Sequence, residues 1–96
     1  MRIISKKTLK DYGEKKPAAK APLEAWHAEA RSANWTSPND IQASFGTASI
    51  LRDGRVVFNI GGNKYRLVAV IKYRWQIVYV RNILAHAEYD EGGWKS

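Results

Sequence analysis

The chain has 96 residues, with 16 Lys plus Arg against 9 Asp plus Glu, and its formal charge of +7 favours phosphates or acidic protein surfaces as partners. That length fits a single domain, residues 1–96, with one thin core, so an active site has to share the main sheet. The lack of cysteine excludes disulfide frameworks, thiolate zinc sites and thiol catalysis. His27 and His86 are the only imidazoles, which leaves no multi-histidine metal centre and points to chemistry without metal or cofactor.

In chain order, Arg2 to Ser5 reads as a short strand, with Ser5 placed to cap a helix over Lys6 to Lys16. Leu9 and Tyr12 make the apolar stripe of that helix, and Pro17 is expected to stop it. Ala18 to Pro22 reads as a connection and Pro22 as the first turn of a second helix, whose Leu23, Trp26, Ala30 and Ala33 share one face. Ser37-Pro38-Asn39-Asp40 signals a short third helix through about Ala43. The period then changes to strand. Ala48 to Arg52 and Arg55 to Ile60 form a hairpin around Asp53-Gly54; Lys64 to Tyr73 returns after Gly61-Gly62-Asn63; Gln76 to Arg81 follows a turn at Arg74-Trp75. The tail opens on Ile83-Leu84-Ala85, continues as His86-Ala87-Glu88-Tyr89-Asp90 and is expected to fray in Glu91-Gly92-Gly93. The N-terminal apolar run is too short for a signal peptide, and no run reaches the roughly 20 residues that span a bilayer, so a cytoplasmic location without membrane contact is expected.

Alternation sorts the strands by face. Val56, Phe58 and Ile60 point one way, with Tyr65, Leu67, Ala69, Ile71 and Tyr73 as partners, and this apolar face is expected to carry the helices. The other face has an apolar floor of Val57, Val68 and Val70, ringed by Arg55, Asn59, Lys64, Arg66 and Lys72; with a two-residue turn at Arg74-Trp75, Ile77 joins the floor and Tyr79 and Arg81 the ring, and one extra residue in that turn would reverse these three. A solvated sheet face normally mixes charge signs. This one has no acid, which suits a polyanion.

The opening Arg2-Ile3-Ile4-Ser5, the central run from Val56-Val57-Phe58-Asn59 to Lys64-Tyr65-Arg66-Leu67, and His86-Ala87-Glu88-Tyr89-Asp90 together resemble the RelE-like toxins of bacterial toxin–antitoxin pairs, in particular their HigB branch. The resemblance implies an α+β fold: an N-terminal strand, two helices and a mainly antiparallel sheet with helices packed on one face. It further implies cleavage of mRNA, usually on the translating ribosome, and neutralisation by a cognate helix-turn-helix antitoxin through which alone operator DNA is reached. The family pattern carries to Arg66, His86 and Tyr89.

Metal-free RNA cleavage needs a base for the 2′-OH, cations for the phosphorane and an acid for the 5′-oxygen. Arg66 suits the phosphate, His86 the proton transfer, and Tyr89 donation or base stacking. Asp90 meets His86, four residues earlier, only if the tail is helical. Arg55, Lys64, Lys72 and Arg81 are backbone contacts for RNA, and Asn59 and Tyr79 base contacts. The competing reading is a non-catalytic RNA- or DNA-binding module that uses the same face.

Overall fold

The computed structural model describes residues 1–92. Its elements are β1 (Arg2–Ile4), α1 (Lys6–Lys15), α2 (Pro17–Ser32), α3 (Pro38–Ser44), β2 (Ser49–Ile50), β3 (Arg55–Ile60), β4 (Tyr65–Lys72), β5 (Ile77–Ala85) and α4 (His86–Glu91). The strands form one sheet in the order β1-β5-β4-β3-β2. β1 runs parallel to β5 and every other pair is antiparallel, so the fold is α+β with a mixed, mostly antiparallel sheet.

Ser5 caps α1 as expected, its hydroxyl accepting from the Thr8 N–H at 3.1 Å. The connection expected at Ala18 to Pro22 is absent, because Pro17 occupies the N1 position of α2, where its fixed φ and missing N–H suit a helix start. Pro22 therefore lies within α2. The two helices cross closely at Gly13, where an added Cβ would sit 3.2 Å from the Lys20 Cα. Ala19, Leu23, Trp26 and Ala30 form the buried face of α2, one turn longer towards the N-terminus than the sequence pattern indicates. Ala33 falls just past the helix end but packs against the core.

The core face of the sheet follows the alternation. Val56, Phe58, Ile60, Leu67, Ala69, Ile71 and Val78 are buried in one cluster with the α2 residues. Phe58 is its hub, with ring centroids 5.3 Å from Trp26, 5.2 Å from Phe45 and 6.1 Å from Trp35. The strand expected over Ala48 to Arg52 shrinks to the two residues of β2, which pair with Val56 and Val57. β5 continues to Ala85, four residues beyond the expected end. Among the described residues no helix is long and apolar enough to cross a membrane. The tail expectation at Gly93 lies outside the described residues; Gly92 closes α4 in a left-handed conformation at φ 78°.

A groove of about 510 Å³ separates α1 from α2, on the helical side of the sheet, and His27 lines it with Lys6, Lys10 and Glu14. Burial, then the Lys6 and Arg31 cations, hold the His27 pKa below its ordinary value. The unfolded chain therefore takes up a proton that the fold resists. Its contribution to stability is complete above the ordinary pKa and is lost as pH falls through the lower folded value. The expected result is a fall in thermal midpoint between about pH 7.5 and about pH 5 that His27→Gln diminishes, measured by melting at each pH.

Candidate nucleic-acid interface and active site

The face of the sheet away from the helices is assembled by three registers. β3 and β4 pair Arg55 with Val70, Val57 with Val68 and Asn59 with Arg66, the register expected from the Gly-rich turn. Gly61 and Gly62 adopt φ 62° and 70°, the left-handed region that glycine enters without a Cβ penalty. β4 and β5 pair Lys72 with Ile77 and Val70 with Tyr79, also as expected. Val57 and Val68 are buried although they lie on this face, apart from the main cluster. They form a dry floor beneath the polar side chains.

Two placements differ from the sequence reading. Between the Ala69–Val80 and Val68–Asn82 pairs the register shifts, so Arg81 is the extra, unpaired residue of a β-bulge. Arg81 is exposed but holds no paired position on the basic face, and beyond it the parity inverts. Asn82 and Leu84 lie on that face, opposite Val68 and Arg66, while Ile83 enters the core. No periodicity signals such an insertion. Conversely, the parallel pairing of β1 with β5 sets Arg2 beside Ile77 and Ile4 beside Tyr79, which brings Arg2 onto the open face. The sequence reading missed this, because a parallel neighbour seventy-odd residues away leaves no local signal.

At one end of this face three candidate residues converge. Arg66 is tethered to the preceding turn: Nη1 donates to the carbonyls of Asn63 at 3.3 Å and Tyr65 at 3.2 Å, and Nη2 to Asn63 Oδ1 at 3.4 Å. Its guanidinium carbon lies 5.6 Å from the centroid of the Tyr89 ring, within cation–π range. No carboxylate of the described residues forms an ion pair with it. Lys64 is exposed in the same turn, and its carbonyl accepts from the His86 N–H at 3.0 Å. That bond fixes the start of α4 to the β3–β4 turn. Glu88 secures the helix start further, its Oε1 accepting from the Ala85 N–H at 2.8 Å.

Because the tail is helical, His86 and Asp90 meet: Nδ1 lies 3.0 Å from Oδ2, with the two side chains 48% and 59% exposed. The half-buried Tyr12 ring of α1 packs edge-on to Tyr65 at 5.9 Å. Burial, then the Glu88 carboxylate and the Tyr65 phenol, raise the Tyr12 pKa, which keeps that phenol neutral. Lys72, Tyr79 and Arg55 stand towards the opposite end of the face. The expected set is thus divided, with Arg66, His86, Tyr89, Asn59 and Lys64 towards one end and Arg55, Lys72, Tyr79 and Arg81 farther along the sheet on β3, β4 and β5. Asp90 and Asn63 are the residues that orient the gathered cluster. Asp90 was readable as an i, i+4 partner, but Asn63 was visible only as a turn former.

A basic sheet face with Arg, His and Tyr at one end is of the class of surface that suits RNA or another polyphosphate. Comparison narrows this class: residues 19–92 match the HigB toxin family, described as the RelE-like toxic component of a toxin–antitoxin system. The mRNA interferase toxin HigB of Escherichia coli (strain K12) is 35% identical over 92 residues, covering 94% of this chain and 88% of that protein. The mRNA interferase HigB of Shigella flexneri shows the same figures, and that of Escherichia coli O6:H1 (strain CFT073) is 27% identical over 93 residues, covering 95% and 90%. The chain belongs to the HigB family of RelE-like toxins, and as the toxic component of such a system it has an antitoxin as partner.

Proposed function

We propose that the chain is an mRNA interferase, an endoribonuclease that cuts mRNA by in-line attack of a 2′-OH on the adjacent phosphate, leaving a 2′,3′-cyclic phosphate and a 5′-OH. The observation that supports this reading is Arg66 set against the Tyr89 ring, with the His86–Asp90 pair on the same short helix, at one end of a basic sheet face, in a chain similar to proteins named mRNA interferases. Arg66, tethered to the Asn63 turn, presents its remaining donors to the non-bridging oxygens, where charge grows in the phosphorane. Asp90 holds His86 through Nδ1 and so orients the ring for Nε2 to take the 2′-OH proton. The Tyr89 hydroxyl then donates to the departing 5′-oxygen. Attack forms the 2′-oxygen to phosphorus bond and breaks the phosphorus to 5′-oxygen bond, so atoms balance without water. Lys64, Arg55 and Lys72 hold the RNA backbone, and Asn59 and Tyr79 contact bases.

In this reading the substrate is mRNA on the translating ribosome, in the cytoplasm, and the neutralising partner is a helix-turn-helix antitoxin that carries any contact with operator DNA. Expression of the chain alone is expected to arrest growth, and His86→Ala to relieve the arrest at equal protein level; undiminished arrest would overturn the assignment of His86. Asp90→Asn is expected to lower the maximal cleavage rate roughly tenfold or more, with half-saturation unchanged and partial rescue in Asp90→Glu. A non-catalytic RNA-binding module would instead show salt-sensitive binding and intact RNA.

A further inference from the structure

The end of the open face remote from Arg66 has its own chemistry. Trp75, in the β4–β5 turn, is 65% exposed, far more than an indole with a structural role. The Arg74 guanidinium lies 5.0 Å from its ring centroid, and Tyr73 precedes that pair in the chain. Arg2, Ile77 and Lys72 form one row across β1, β5 and β4, and Tyr79, itself 36% exposed, stands in the next row. None of the paired positions on this face is acidic. Six residues of β4 separate Lys72 from Arg66, a span of roughly 20 Å.

We infer that Trp75, with Arg74, Arg2, Lys72 and Tyr79, forms a second anchoring subsite for the substrate RNA, gripping single-stranded nucleotides remote from the phosphate that is cut. The inference rests on the proposed cleavage at Arg66 and His86. Bases stack on the indole and phenol, and the phosphates between them meet Arg2 and Lys72, the combination by which proteins hold single strands without reading sequence. The dry floor of Val57 and Val68 between the two ends offers little to a phosphate. Binding is therefore bipartite, and an RNA too short to span both ends loses the distal contacts.

The test uses fully 2′-O-methylated, fluorescently labelled RNA, which cannot be cut, in a short form of about three nucleotides and a longer form of about eight. Wild-type protein is expected to bind the longer form more tightly, and Trp75→Ala to remove roughly tenfold of that affinity while leaving the short form unaffected. Trp75→Phe retains most of the gain, and Arg2→Ala and Lys72→Ala each reduce the salt dependence by about one phosphate contact. With cleavable RNA, Trp75→Ala raises half-saturation and leaves the maximal rate unchanged. Equal binding of the longer form by wild type and Trp75→Ala, with unchanged melting, overturns the subsite. So does a Trp75→Ala protein that loses its antitoxin and keeps its RNA affinity, which would assign the turn to a protein partner. Length-dependent binding that needs Trp75, in a protein that never cuts RNA, keeps the subsite and removes the proposed activity; cleavage without that dependence does the reverse.

Discussion

Arg66→Ala is expected to lower the rate of RNA cleavage by roughly 100- to 1,000-fold, the usual cost of removing one preorganised donor to a developing negative charge. The effect should lie in the maximal rate, because the guanidinium meets charge that grows only as the phosphorane forms. Folding should change little. Arg66 is half-buried, and its hydrogen bonds run to its own turn at 3.2–3.4 Å, two of them to carbonyls that water can satisfy when the side chain is gone. Arg66→Lys should recover only part of the rate, since a single ammonium can neither bridge two oxygens nor keep both the Asn63 tether and the Tyr89 contact. Single-turnover kinetics of the purified variants, with a melting curve for each, check this. A full rate in Arg66→Ala would remove Arg66 from the chemistry.

Phe58→Ala is expected to have the largest effect on stability. Phe58 is fully buried on β3 and touches the rings of Trp26 from α2, Phe45 from the end of α3 and Trp35 from the connection between those helices. Truncation therefore loosens all three from the sheet at once. Large aromatic to alanine changes in a core cost about 3–5 kcal/mol, against a total of about 5–15 kcal/mol for a domain. The variant should unfold at a much lower denaturant concentration, and a thin core gives little scope for collapse into the cavity. A conservative Phe58→Leu, which keeps more of the volume, should lose distinctly less. Urea unfolding followed by far-ultraviolet circular dichroism measures both.

The face pattern of β3 and β4 was legible because three kinds of information agreed: period-two alternation, glycines in the left-handed turn and a single apolar parity from Tyr65 to Ile71. Where one residue supported two opposite readings, the sequence misled. Pro17 ends one helix and begins the next, so a proline read as a stop concealed a whole turn of α2. The bulge at Arg81 was hidden for another reason. A single inserted residue leaves no mark in the composition, yet it reverses every later side chain of the strand, putting Asn82 and Leu84 on the open face and Ile83 in the core. For the site, residue types were readable and their meeting was not. His86 and Asp90 come together only through the helix that the Lys64 carbonyl and Glu88 anchor, and Arg2 reaches the open face only through a parallel partner distant in sequence.

The proposed chemistry predicts one end-group. RNA recovered after brief expression of the wild-type chain, with the Arg66→Ala chain as control, can be ligated through its new 5′ ends with and without prior phosphorylation. The account predicts cuts within mRNA that appear only after phosphorylation, because 2′-OH attack leaves a 5′-OH, and that vanish in the control. New ends that already carry a 5′-phosphate, or no wild-type-specific cuts at all, would contradict it.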